Sequence, residues 1–266
     1  HSRKPMTSIF KLTQPTAFPL PVLANLPHSG LRVADEIREQ LTDVHQAFLP
    51  NQDWLLDRLY NFLPALGLTM LQATHSRYVV DLNRPLRPPY FGSFWSAAIA
   101  EKTAFNVPLY RTKPSAQEIE QRLENYYRAY HAELESQLNR LIEQFGKAYL
   151  LDLHSFYGPI TDDVCLGNAN GKTCSEFFID IVDNAFAREG YGVVRNKVFN
   201  GGYITRHYGS WPRVEALQIE VRYPVYLDES QLDKDAVPDW QVPQFDRAKG
   251  RFRKVFEQIT ETLSEG

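Results

Sequence analysis

Apolar positions in this chain follow two different periods that alternate along its length. Near-continuous apolar runs at PVLANL (21–26), YVVDL (78–82) and AYLLDLHS (148–155) predict strands, with further candidates at 191–195 and 214–221. Between them the period lengthens to three and four. DWLLDRLYNFL (53–63) predicts a helix with Asp53 at its N-cap and Leu55, Leu59 and Phe62 on one face. The clearest helix runs from Ser115 to about Phe145. Ser115 and Glu118 form a capping box, one face carries Ile119, Leu123, Tyr127, Tyr130, Leu134, Leu138, Leu141 and Phe145, and Gly146 ends it. Phe177, Phe178, Ile181, Val182 and Ala185 mark another helix, and Phe245, Phe252, Phe256, Ile259 and Leu263 a terminal one.

A strand that is apolar on both faces belongs in a sheet covered on both sides by helices. Strands alternating with helices therefore predict an α/β fold, a three-layer α/β/α sandwich around a mixed, mostly parallel central sheet. No repeat and no low-complexity linker divides the chain, so one domain over residues 1–266 is expected.

Composition narrows the class. With 43% hydrophobic residues and 13% aromatics, 266 residues can bury a large core. The net charge is −3 and no basic run exceeds a few residues, which argues against a nucleic-acid partner. No stretch approaches the roughly 18 apolar residues of a spanning helix, so no membrane segment is expected. The opening HSRKPMTS lacks the apolar core of a signal peptide; residues 1–5 read as a remnant ahead of a native start at Met6, and a cytoplasmic location is expected. Two cysteines, Cys165 and Cys174, are too few for a disulfide framework, and a structural zinc pair there would need two more ligands nearby.

In helix-covered sheets, function gathers beyond the carboxyl ends of the strands. PVLANL leads into His28, AYLLDL into His154-Ser155, and YVVDL into Asn83-Arg84, while ALQIEVR carries Glu220 inside an apolar run. One histidine behind a strand is most often a hydrogen-bonded structural residue. Two at the same sheet edge suggest a metal, because two imidazoles and a carboxylate leave a fourth position open, as in catalytic zinc sites. Spacing alone leaves the carboxylate open between Asp53 and Asp57. Glu220 is either half of an ion pair with Arg222 or Arg77, or a general base whose pKa the apolar strand raises. Arg77 suits an oxyanion, Arg84 with Asn83 a carboxylate, and Arg206 in GGYITRHYG a second anionic group.

Together PHSG, QDWLLDRLYNF, SRYVVDLNRP, DLHS, CLGNANGKTC, GGYITRHYG and ALQIEVRYPVYLDE occur in the order found in N-formylglutamate amidohydrolases. The resemblance spans about residues 18 to 262, and the family is similar to zinc carboxypeptidases and aspartoacylases. It implies a zinc-exopeptidase-like fold and one Zn²⁺ held by His28, Asp53 and His154. It further implies catalysis by Glu220 and Arg77, with the substrate bound by Asn83, Arg84 and Arg206. The implied reaction is hydrolysis of N-formyl-L-glutamate, a small anionic N-acyl amino acid, to formate and L-glutamate, a step of histidine breakdown. The alternatives are another N-acyl or N-formimino amino acid, a carboxypeptidase-like peptide end, or a metal-free anion-binding protein. This chain departs from the carboxypeptidases in lacking a glutamate three residues after His28, where Leu31 stands. From typical members of the amidohydrolase family it departs in the residues that follow Glu220.

Overall fold

The computed structural model describes residues 8–232 and 234–265; residues 1–5, read above as a remnant, lie outside them. The strands are β1 (Phe10–Thr13), β2 (Val22–Leu26), β3 (Thr69–Ala73), β4 (Phe91–Gly92), β5 (Ile99–Ala100), β6 (Ala148–Phe156), β7 (Val164–Gly167), β8 (Val193–Arg195) and β9 (Val214–Arg222). The helices are α1 (Asp35–Arg38), α2 (Asp43–Ala47), α3 (Leu56–Leu59), α4 (Ala116–Arg122), α5 (Ala129–Phe145), α6 (Glu176–Arg188), α7 (Tyr203–Tyr208) and α8 (Pro243–Ser264).

Seven strands form one sheet in the order β1-β3-β2-β6-β9-β7-β8. The centre is parallel, while β1 runs antiparallel to β3 and β7 antiparallel to β9. This is the mixed, mostly parallel sheet that the uniformly apolar runs predict. Alternation along each strand splits the side chains between two cores. Leu151, Leu153, Leu217 and Ile219 pack with Phe178 and Phe186 of α6 and Phe252 and Phe256 of α8. Leu23, Leu71, Leu150 and Ala216 pack on the other face with Tyr130, Leu134, Leu138 and Leu141 of α5 and Tyr208 of α7. Burying each large apolar side chain contributes roughly 1.5–3 kcal/mol, so the two layers hold the sheet rigid between them.

The long helix forms as its sequence predicts. Ser115 Oγ accepts from the Glu118 N–H, Glu118 Oε1 accepts from the Ser115 N–H, and Gly146 closes the far end at φ +83°. Residues Leu123–Arg128 widen into π-helical turns between α4 and α5.

Three local expectations fail. YVVDL (78–82) is not a strand: the Val79 N–H donates to the Ser76 carbonyl and the Asp81 N–H to the Ala98 carbonyl, 2.6 Å away. Its valines are buried in separate cores, Val79 beside Phe94 and Leu109 and Val80 beside α5, so the run is apolar without pairing in the sheet. The helix expected over 53–63 shrinks to α3, followed by a 3-10 turn at Leu63–Leu66. Asp53 does not cap it; Leu55 holds that place at φ +61°, and Asp53 is turned inward instead. The candidate at 191–195 shortens to β8, and β1, β3, β4, β5 and β7 go unpredicted. Residues 85–113 pack as a cover, with β4 and β5 paired and Phe94, Ile99 and Leu109 buried.

Candidate metal centre and adjoining cavity

His28 lies two residues beyond β2, and His154 sits near the end of the neighbouring strand β6. The Asp53 N–H donates to the His28 carbonyl at 3.2 Å, which ties the irregular 50–55 segment to the strand end. Two tyrosines from the segment after β9 bracket Asp53: Tyr223 donates to the Gln52 carbonyl (2.5 Å) and Tyr226 to the Trp54 carbonyl (2.7 Å). Asp53 Oδ2 stands 3.1 Å from His154 Nδ1 and 3.8 Å from His28 Nδ1. Ligand-type atoms of the three residues lie within 4.8 Å of one another, all buried. Asp57, the other carboxylate considered, stands half-buried on α3 outside this group.

Each histidine has its outer nitrogen engaged. His28 Nε2 lies 2.6 Å from Asp81 Oδ1, and His154 Nε2 lies 2.6 Å from Asp152 Oδ2. A carboxylate can only accept, so each Nε2 carries the proton and each Nδ1 keeps its lone pair when the ring is neutral. Two imidazole lone pairs and one carboxylate thus converge, backed by outer carboxylates. That donor set fits a divalent ion such as Zn²⁺ with an open fourth position.

The two histidines differ electrostatically. Burial and then the Arg77 cation lower the pKa of His28, against the pull of Asp81. Burial acts in the same direction on His154, yet Asp152 and Asp53 outweigh it and hold that pKa well above the usual imidazole range. Asp81 is held well below the carboxylate range: burial opposes this, and His28, Arg77 and Arg84 overcome it.

Glu220 stands on β9 in register with His154. Burial raises its pKa to about 8, with His154 opposing. Its Oε2 is buried without a hydrogen-bond partner, as is Arg77 Nε. The ion pair considered for Glu220 does not form. Arg77 Nη2 donates instead to Asp81 Oδ2 at 3.1 Å, its guanidinium 4.7 Å above the Phe94 ring, and Arg222 Nε donates to the Tyr157 carbonyl.

Asn83, Arg84 and Arg206 all line one cavity of about 680 Å³, together with Arg87, Trp95 and His207. Asn83 Oδ1 accepts from the Ile204 N–H of α7 at 2.9 Å, which points its amide nitrogen the other way. Gly202 makes that approach possible, because a Cβ there would fall 2.5 Å from Asn83 Nδ2. Arg206 is braced by neutral acceptors, Nε to the Gly201 carbonyl and Nη2 to Asn200 Oδ1. Arg84 Nε donates to the Phe94 carbonyl and lies 3.7 Å from Asp81 Oδ2. The lining carries three arginines and no carboxylate, a charge that suits an anion, and Arg84 connects it through Asp81 to His28.

Sequence reasoning missed Asp81, Asp152, Asn25 and Gln218. A signal existed, since Asn25, Asp152 with His154, and Gln218 with Glu220 break apolar runs at every second residue, on the α5 face. Both cysteines are free and buried, and burial pushes the Cys174 thiol up to about 12, which disfavours a nucleophilic thiolate there.

A family model described as N-formylglutamate amidohydrolase matches residues 20–227. The N-formylglutamate deformylase of Pseudomonas putida is 37% identical over 226 residues, covering 80% of this chain and 84% of that one. The enzyme of the same name from Pseudomonas aeruginosa is 36% identical over 222 residues, covering 79% and 83%. Among solved structures, N-formylglutamate amidohydrolase from Ralstonia eutropha superposes with a TM-score of 0.81 at 27% identity, covering 98% of this chain and 100% of that one.

Proposed function

We propose, from the premise that the chain belongs to the N-formylglutamate amidohydrolase family, that it hydrolyses N-formyl-L-glutamate to formate and L-glutamate with one zinc ion. The observation that carries this reading is the convergence of His28, Asp53 and His154, joined through Asp81 and Arg84 to a cavity walled by arginines.

Asn83 Nδ2 and Arg84 bind the α-carboxylate of the substrate at the cavity's inner end, and Arg206 takes the side-chain carboxylate. Two carboxylates clamped by separate arginines fix the formyl group toward the histidines, and positioning of that kind removes much of the entropic barrier. Zinc, when bound to His28, Asp53 and His154, supplies Lewis acidity to water and to the formyl oxygen, and its charge lowers the pKa of the nearby Glu220 carboxyl. Arg77 donates from its unpartnered Nε to the developing oxyanion, its aim fixed by Asp81 and the Phe94 ring. A donor so placed is worth about 3–4 kcal/mol in the transition state. Glu220 takes a proton from the attacking water at Oε2 and passes it to the leaving amide nitrogen. Water adds to the formyl carbon, the C–N bond breaks, and the proton ends on the amine.

The test is formate release from N-formyl-L-glutamate by the purified chain, before chelation, after it, and after zinc is restored. Zinc-restorable release, with little turnover of N-acetyl-L-glutamate, is expected. A preference for the acetyl compound overturns the substrate, and formate release that survives complete metal removal overturns the mechanism. No helix among the described residues is long and apolar enough to cross a membrane, which is compatible with a small-molecule enzyme.

A further inference from the structure

Beneath His154 a line of buried polar groups crosses the core that α5 makes with the sheet. Asn25 lies next to the carboxyl end of β2, fully buried, between Ala24 and Leu26. Its register partner on β6 is Asp152. Asn25 Nδ2 donates to Asp152 Oδ1 at 2.8 Å, and Tyr130, fully buried on α5, donates its hydroxyl to Asn25 Oδ1 at 2.6 Å. Asp152 Oδ2 then meets His154 Nε2 at 2.6 Å. Four side chains from one helix and two strands therefore form a single line that ends at the outer, protonated nitrogen of His154.

The direction of every hydrogen bond in that line follows from chemistry. Asp152 has only acceptors, so the nitrogen end of the Asn25 amide must face it. The oxygen end is then left for Tyr130, which must donate. Burial holds the Tyr130 phenol far above its usual range, so the donor proton stays in place. With Oδ1 occupied by Asn25, Asp152 presents Oδ2 to the His154 ring.

We infer that Asn25 and Tyr130 are positioning residues for metal binding. Through Asp152 they hold the His154 ring so that Nδ1 faces Asp53. The two ligand histidines are supported differently in this respect. The aspartate behind His28 is held by a cation, Arg77, and by the Asn83 N–H, near the cavity. The aspartate behind His154 is held at Oδ1 by a neutral amide, deep in the core. The Asn25 amide brings no charge to set against Asp152, whereas the Arg77 guanidinium sets one against Asp81. Burying a polar line of this kind costs stability unless every member is satisfied, and here each bond has its partner.

The inference rests on the metal reading above, and zinc affinity tests both separately. The dissociation constant is measured on the whole chain by competition with a chromophoric chelator. Wild type, Tyr130→Phe, Asn25→Leu and, as a control, Leu141→Ala are compared, with thermal unfolding recorded for each. Leu141 is buried on α5 in the same core but lies outside the polar line. Outer partners of metal ligands are worth roughly 10–100-fold in affinity. Asn25→Leu is expected to weaken zinc binding by about that range, and Tyr130→Phe by about the lower end of it. Leu141→Ala is expected to lower the unfolding temperature with unchanged affinity. In the zinc-loaded protein, the Nε2–H proton of His154 should exchange with solvent faster in both polar-line variants than in the control. Unchanged affinity in both variants while wild type binds one equivalent overturns the inference and leaves the metal reading standing. Equal weakening in all three variants also overturns it, because loosened packing then accounts for the effect. A wild type that binds no zinc overturns the metal reading, and the inference with it.

Discussion

His154 and Glu220 stand side by side on neighbouring parallel strands, register partners across β6 and β9. His154 Nδ1 faces Asp53 Oδ2 at 3.1 Å, while Glu220, also buried, holds a carboxyl oxygen without a hydrogen-bond partner. Two central strands thus fix the spacing between the proposed ligand and the proposed proton carrier, with no loop intervening.

Glu220→Gln keeps the volume and removes the base. Loss of general-base catalysis is expected to lower kcat by roughly 10²–10⁴-fold. Zinc content should stay at one equivalent, because Glu220 is not among the three converging donors. Formate release and metal analysis on the same preparation check this. Loss of the metal together with activity would instead make Glu220 a ligand.

Asp53 and Asp57 separate cleanly by substitution. Asp53→Asn is expected to abolish stoichiometric zinc, since it removes the carboxylate 3.1 Å from His154 Nδ1. Asp57→Asn, on the half-buried helix α3, should leave zinc content and turnover near wild type. Metal content after dialysis decides it, and the reverse pattern would exchange the two roles.

Arg206→Met should act on binding. A charge-assisted hydrogen bond contributes about 1.5–3 kcal/mol, so KM for N-formyl-L-glutamate is expected to rise roughly 10–100-fold with kcat little changed. Turnover of N-formylnorvaline, which lacks the side-chain carboxylate, should be almost unaffected. An equal loss on both substrates would place Arg206 elsewhere in the reaction.

His131 gives the fold a pH dependence of its own. It is buried, with Nε2 donating to the Leu82 carbonyl at 2.8 Å and Nδ1 accepting from the Tyr208 hydroxyl at 2.6 Å. Burial lowers its pKa from 6.5 to about 4. The folded state therefore binds fewer protons than the unfolded chain between those values. Stability from the neutral ring is complete above 6.5 and is lost as pH falls through about 4. Across that window the loss is about 3 kcal/mol, at 1.36 kcal/mol per pKa unit. Urea unfolding at pH 7 and pH 4 should show wild type losing about that much more than His131→Asn. Parallel losses would mean that the ring titrates normally.

Local pattern alone was enough for the layered fold and for most residues of the candidate site. Runs such as AYLLDL are apolar on both faces, so they could only be central strands under two layers of helix, and the three-to-four spacing after Ser115 could only be a long buried helix face. His28 and His154 were legible as polar residues at strand ends, and Glu220 as a carboxylate inside an apolar run. What the sequence left open was decided by contacts distant along the chain. Asp53 looked like a helix cap because local pattern sees only neighbours; hydroxyls of Tyr223 and Tyr226 hold its segment out of helix and turn the carboxylate inward. YVVDL has the composition of a strand, yet Asp81 serves His28 and Arg77, and the two valines fill different cores. Asp152 and Asn25 gained meaning only when β2 and β6 came into register, 127 residues apart in sequence. Burial is written in local periodicity, because it depends on which face a residue occupies. A hydrogen bond between side chains depends on where two remote backbones lie, and only the folded sheet sets that.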